Sequence, residues 1–363
     1  MKAPLMVLLW LLLPLPAWPD CDWPLWQQYK AAMMSKDGRI IDYSSPQAIT
    51  TSEGQSYALF FALVANDKAA FERVLRWTQN NLAGGDLSTR LPAWQWGQGE
   101  DGDWRILDGN NAADSDLWIA YSLLEAGRLW QQPEYRRLGR ELLWRSAAQS
   151  LRMMPGLGLG LLPGNTGFDK PRGWMLNPSY LPLPLLARFG GEAAVWQDLA
   201  ISTRRLLLNT APAGLAPDWV MWSVDGQSGL GEIGSYDAIR VYLWLGLSAP
   251  DTPGRDELLA HYTPMLAMTR QAGVPPERVN AVTGHTEGVG PAGFSAALLP
   301  MLAAIPGFEA EQARQRERLR TRPPAPEAYY DRSLLLFGLG WEEQRYRFDK
   351  KGRLLVPWED SCE

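Results

Sequence analysis

Histidine and cysteine are almost absent from this chain: two of each occur in 363 residues. His261 and His285 cannot furnish a histidine-rich zinc site, and cysteines confined to the ends cannot supply a Cys–His dyad. A Ser–His–Asp triad has no support either, because no Gly-x-Ser-x-Gly elbow follows a strand. No block of Lys and Arg occurs, and the formal net charge is -5. That balance argues against nucleic acid as a partner and favours a neutral one. After residue 17 no segment reaches the roughly 20 apolar residues of a membrane-spanning helix. Linkers and low-complexity stretches are missing too, so nothing marks a boundary between domains.

The first residues are of a different kind. Met1 and Lys2 precede the apolar run Pro4 to Leu15 and the exit Pro16-Ala17-Trp18, the pattern of a signal peptide over 1–17 with cleavage after Ala17. Export implies an oxidising compartment, and the expectation follows that Cys21 and Cys362 form a disulfide joining the two ends of the mature chain. Eighteen tryptophans are present. Many belong to a core, but Trp faces also stack on sugar rings, and several here lie in polar loops.

Apolar residues recurring with the helical period predict twelve helices: 22–34, 52–65, 67–82, 114–130, 132–152, 178–189, 192–210, 235–246, 253–271, 292–304, 308–320 and 326–340. Strand signals are few. Trp94 to Trp96 with Trp104 to Leu107 reads as one hairpin, and Arg345 to Phe348 with Arg353 to Val356 as another around Asp349-Lys350-Lys351-Gly352. The expected fold is all-α: an (α/α)6 barrel of twelve helices with small β-hairpin decorations, occupying residues 18–363 as a single domain. An open helical solenoid shares the same local pattern. The mixed-charge run from Glu309 to Arg322 reads as a solvated helix face.

Carboxylates are the chemistry that remains. Glu53, the pair Asp114 and Asp116, and Asp237 each stand at the start of an apolar helical pattern. Taken singly, an acidic residue there is a cap or a dipole partner. In a barrel whose inner helices run parallel, however, the three starts would meet at one mouth. Glycoside hydrolysis needs this arrangement, with one carboxyl protonating the leaving oxygen and another activating water. A helix N-terminus favours the ionised form, which suits a base. An acid there needs neighbouring negative charge or desolvation to compensate, and Glu53, with the longer arm, is assigned that part.

Three segments resemble glycoside hydrolase family 8. Thr51-Ser52-Glu53-Gly54-Gln55-Ser56-Tyr57 is similar to its acid motif, Ala113-Asp114-Ser115-Asp116-Leu117-Trp118-Ile119-Ala120 to its central signature, and Ser235-Tyr236-Asp237-Ala238-Ile239-Arg240 to its base motif. Ala113 and Ser115 depart from the commoner form of the signature and leave both aspartates in place. The resemblance implies an (α/α)6 barrel, inversion at the anomeric carbon, Glu53 as general acid, Asp237 as general base and Asp114 binding the distorted sugar. Asn177-Pro178-Ser179-Tyr180 also matches, so Tyr180, Tyr236 and Arg240 are expected to position substrate, water or the base, with Asn177 and Asp116 at the substrate as well.

Trp94, Trp96, Trp104 and Trp174 lie in loops where either a sugar platform or a ring packed on the wall is admissible, and as a set they favour platforms. No metal or cofactor is implied. The expected activity is a periplasmic, inverting endo-β-1,4-glucanase acting on cellulose, with cellulose synthase or export components as prospective associates. A non-catalytic glucan-binding subunit, or a relative acting on xylan, chitosan or mixed-linkage glucan, is the alternative.

Overall fold

The computed structural model describes residues 22–361 except 46 and 230. The expected signal peptide and the expected Cys21–Cys362 disulfide lie outside the described residues. In chain order the helices are α1 (Pro24–Met33), α2 (Ser52–Val64), α3 (Lys68–Leu82), α4 (Ala113–Leu129), α5 (Pro133–Ser150), α6 (Leu183–Phe189), α7 (Ala194–Thr210), α8 (Ile239–Leu247), α9 (Arg255–His261), α10 (Thr263–Ala272), α11 (Ala292–Ala304), α12 (Glu309–Thr321), α13 (Tyr329–Glu342) and α14 (Trp358–Ser361).

Sequence decides which helices lie inside. In α8 every residue from Ile239 to Leu247 is buried, and in α2 all but Glu53 are; helices apolar all round belong in an interior. By contrast α12 buries only Glu311, Gln315 and Leu319, a stripe four residues apart, and exposes most of its remaining charges. Helices α2, α4, α6, α8, α11 and α13 accordingly form the inner ring, each packed on the next, and the others cover it. The fold is an (α/α)6 barrel.

Its axis is filled by rings. Phe60 from α2 meets Trp118 from α4 at 5.0 Å, Trp118 meets Phe337 from α13 at 5.2 Å and Trp244 from α8 at 5.3 Å, and Tyr57 meets Phe337 edge-on at 5.0 Å. Each such pair adds roughly 0.5–1.5 kcal/mol beyond the area it buries. Two glycines let α11 nest between its neighbours: a Cβ on Gly338 would lie 2.0 Å from Ala296 O, and one on Gly246 2.3 Å from Met301 N.

Two expected helices are broken. Residues 178–189 divide into a 3-10 turn, Pro178–Tyr180, and α6, while 253–271 divide into α9 and α10 at Tyr262. Pro182 and Pro264 stand at these breaks, and a proline cannot continue the hydrogen bonding of a preceding helix. The 132–152 helix ends at Ser150, because Leu151–Met154 turns back in a hairpin with Gly158–Leu161. Both predicted hairpins form, as Gln95–Gln98 with Trp104–Asp108 and Arg347–Phe348 with Leu354–Leu355. Two further small sheets join Gly173–Leu176 to Val220–Ser223 and Arg278–Asn280 to Ile233–Gly234.

The C-terminal hairpin closes the far end of the barrel. Tyr121 Oη donates to Gly352 O at 2.8 Å, and Leu354 N donates to the Glu125 carboxylate at 2.9 Å. Glu125 is fully buried and also accepts from Arg188 Nε at 2.6 Å and Arg128 Nε at 2.9 Å. Breaking such a buried network from one side leaves charge uncompensated, at roughly 3–5 kcal/mol. Glu125→Ala is therefore expected to lower stability by about that amount in urea unfolding monitored by circular dichroism, whereas Glu141→Ala, an exposed partner of Arg137, should change it by less than about 1 kcal/mol.

Candidate active site

Glu53 is the second residue of α2. Thr51, which precedes the helix, accepts from Gly54 N at 3.1 Å and caps it, as a threonine at this position does. The strand Thr50–Thr51 pairs with Gln95 and Trp96, and Ser52 N donates to Trp94 O at 2.9 Å. The tryptophan hairpin is thus stitched in register to the backbone that carries Glu53.

Asp114 stands in the first turn of α4 and is 4% exposed. Its Oδ1 accepts from Ser115 N at 2.8 Å. Asp237 does not lie inside a helix: α8 begins at Ile239, and Asp237 sits in the turn before it. That turn is held by Asp218, whose Oδ1 accepts from Ser235 N and from Ala238 N at 2.8 Å each.

Arg240 joins these acids. One terminal nitrogen donates to Glu53 Oε2 at 2.7 Å; the other donates to Asp237 Oδ1 at 2.6 Å and Ser179 Oγ at 3.1 Å and lies 3.9 Å from Asp114 Oδ2. Its side chain is 5% exposed. Tyr329, the first residue of α13, donates to Glu53 Oε1 at 2.9 Å. Tyr236 meets Phe294 of α11 at 5.2 Å. The starts of all six inner helices therefore gather at one mouth, and residues far apart in sequence line one groove.

Glu53 and Asp237 are separated by no more than one guanidinium and its two hydrogen bonds. This is the scale of the roughly 6.5–9.5 Å gap that inverting hydrolysis needs to admit a water. Burial pushes the Asp114 carboxyl up to about 7; Arg240 opposes the shift, and the charges of Glu53 and Asp237 add to it. Among the described residues no cluster of three His, Cys, Asp or Glu side chains is arranged to hold a metal. The cation at the centre of the carboxylates is Arg240 itself.

The remaining predicted positions divide. Asp116 is fully buried and accepts from Asn111 Nδ2 at 2.6 Å. It faces the wall rather than the groove, because residues two apart on a helix do not share a face. Asn177 is buried and accepts from Ser179 N and Oγ at 3.0 and 2.7 Å, which fixes the hydroxyl that meets Arg240. The Tyr180 ring lies 5.8 Å from the Arg240 guanidinium.

Tyr236 is exposed and donates to Glu277 Oε1 at 3.1 Å. Trp104 is 48% exposed and stacks on Trp96 at 5.0 Å, with the Arg39 guanidinium 4.6 Å from each ring. Trp94 is half-buried and acts through its backbone; Trp174 is half-buried against the core. Sequence reasoning missed Asp218, Ser179, Tyr329, and the pair Trp219 and Phe168, which stack at 5.8 Å beside Tyr180.

Known proteins resemble this chain in sequence and fold. The profile of glycosyl hydrolases family 8 matches residues 3–344. The chain is 48% identical over 348 residues to an endoglucanase of Escherichia coli O157:H7, covering 94% of this chain and 93% of that one, and 45% identical over 344 residues to an endoglucanase of Xanthomonas axonopodis pv. citri, covering 93% and 89%. The crystal structure of endo-1,4-D-glucanase from Vibrio fischeri ES114 superposes with a TM-score of 0.88 at 42% identity, over 93% of this chain and 99% of that one. The chain belongs to glycosyl hydrolase family 8.

A family 8 hydrolase with a neutral-range carboxyl in its groove has a distinctive pH dependence. Between the ordinary aspartate value of about 4 and about 7, folded Asp114 keeps a proton that the unfolded chain has released. Stability should therefore fall as pH rises through that interval and level off above it. Asp331, raised to about 6, and Asp116, raised well above its ordinary range, push the same way. Comparison with Asp114→Asn isolates the contribution of Asp114: the urea midpoint of the wild type should drop further than that of the variant between pH 5 and pH 8, and equal drops would refute the assignment.

Proposed function

We propose that this family 8 hydrolase is an inverting endo-β-1,4-glucanase, with Glu53 as general acid, Asp237 as general base and Asp114 binding the distorted sugar at the cleavage point. The observation that carries the reading is the single Arg240 guanidinium held between Glu53 and Asp237 in one groove. The endoglucanase relatives, similar along nearly the whole chain, support the substrate class.

Hydrolysis then runs in one displacement. A water between Asp237 and the anomeric carbon gives its proton to Asp237, its oxygen bonds to that carbon from the face opposite the leaving group, and the glycosidic bond breaks as Glu53 delivers its proton to the departing oxygen. Negative charge appears on Glu53 as that proton leaves. Arg240 and Tyr329 already point at the two oxygens where it develops, so they stabilise the transition state without rearranging. Asp114, buried and partly protonated near neutrality, holds sugar hydroxyls as donor or acceptor. Trp104, backed by Trp96 and Arg39, provides an apolar platform for a sugar ring farther along the groove.

The finer setting follows from the chain's first residues. Residues 1–17 form the leader, residues 18–363 the catalytic domain, the terminal cysteines its tie, and the periplasm its compartment, where it acts on cellulose beside the synthase or the export components. No helix among the described residues is long and apolar enough to cross a membrane.

Two measurements test the reading. Glu53→Gln and Asp237→Asn should each lower kcat on carboxymethyl cellulose by roughly 10²–10⁴-fold with the helical spectrum unchanged, and the product first seen by proton NMR should be the α-anomer. Fresh β-anomer, or undiminished turnover in either variant, rejects the mechanism. Trp104→Ala should raise KM for cellohexaose while leaving kcat nearly constant, as loss of an interaction made equally in ground and transition states does; an unchanged KM would remove Trp104 from the substrate path.

A further inference from the structure

The far end of the barrel holds a second concavity. Helix α6 has 7 residues where α4 has 17, and this short segment of the inner wall leaves a cavity of about 810 Å³ between the end of α4, the length of α6, the outer helix α7 and the turn of the C-terminal hairpin. Its volume falls within the roughly 300–1,000 Å³ typical of small-molecule sites. Arg128 lines it, 14 residues along α4 from Asp114, which at 1.5 Å per residue is about 20 Å from the catalytic groove.

The chemistry of the lining is lopsided. Leu183, Leu186, Ala187, Ala200 and Ile201 supply an apolar floor, seven Lys or Arg side chains line the cavity, and no Asp or Glu does, in a chain whose formal net charge is -5. Part of this charge is structural. Arg128 and Arg188, in the last turns of α4 and α6, answer the helix dipoles and share Glu125. Arg204 pairs with Glu257 and Arg353 with Asp349. Arg136, Lys350 and Lys351 do neither: they are exposed and pair with no carboxylate among the described residues. Three cations left over around an apolar floor favour a ligand that is itself apolar and anionic.

We propose that this cavity binds one amphipathic organic anion, an apolar body seated on Ala187, Ala200 and Ile201 with its carboxylate, sulfate or phosphate facing Arg136, Lys350 and Lys351. The concave shape fits a single molecule rather than a flat surface, and the site is independent of whether the distant groove hydrolyses glucan.

Octyl phosphate, below its micelle threshold, is the probe. Isothermal titration of the mature protein should give one saturable site. Octanol and inorganic phosphate, each carrying half of the chemistry, should bind at least tenfold more weakly. The double variant Arg136→Glu/Lys351→Glu and the single variant Ile201→Glu, all at exposed positions, should each weaken binding at least tenfold while keeping the helical spectrum and the hydrolysis of carboxymethyl cellulose. Arg320→Glu/Arg322→Glu, the same charge change on the exposed face of α12 and just beyond it, should leave binding unchanged. The proposal is overturned if octyl phosphate gives no saturable heat, if the reversals bind it as the wild type does, or if octanol binds equally well. Binding confined to phosphatidylglycerol vesicles or to a polyglutamate peptide would overturn it too.

Discussion

A guanidinium almost shut off from water governs the architecture of the mouth. Removing a charge from solvent costs several kcal/mol unless partners surround it, and Arg240 is met by Glu53, Asp237, Ser179 and, more distantly, Asp114. Those residues come from the start of α2, the turn before α8, the turn before α6 and the start of α4. Satisfying one cation therefore requires the inner helices to run parallel and end level. Barrel closure and assembly of the site are one constraint viewed at two scales.

The far end inverts the arrangement. There a single buried carboxylate, Glu125, serves two arginines and a backbone N–H, where at the mouth one arginine serves several carboxylates. The helix dipole explains the polarity, since parallel inner helices present partial positive charge at the mouth and partial negative charge at the opposite end. Acids collect at the first and cations at the second. Between them the packed rings of Phe60, Trp118, Trp244 and Phe337 exclude water, so each network keeps its strength and neither screens the other.

What was legible in the sequence was local. Apolar residues recurring with the helical period announced most of the helices, and the three acidic segments announced themselves through neighbours a few residues away. What was hidden depends on partners brought together by closure. Tyr329 reaches Glu53 across 276 residues, Asp218 reaches the Asp237 turn from 20 residues upstream of Ala238, and the strand Gly173–Leu176 finds Val220–Ser223 only in three dimensions. Asp114 and Asp116 were both expected at the substrate. The 3.6-residue turn sends one to the groove and the other into the wall.

The position of Asp237 decides between two meanings of an acidic residue at a helix start. Had these acids been caps, their oxygens would be spent on backbone N–H groups. Instead each start is capped by another residue: Thr51 serves α2 through Gly54 N, and Asp218 serves the turn leading into α8 through Ser235 N and Ala238 N. Asp114 is the partial exception, since Oδ1 takes Ser115 N while Oδ2 faces Arg240. The capping is done by Thr51 and Asp218, not by the two acids that follow. Glu53 is thereby left to Arg240 and Tyr329, and Asp237 to Arg240, side-chain partners gathered at one mouth that helix stability alone does not call for.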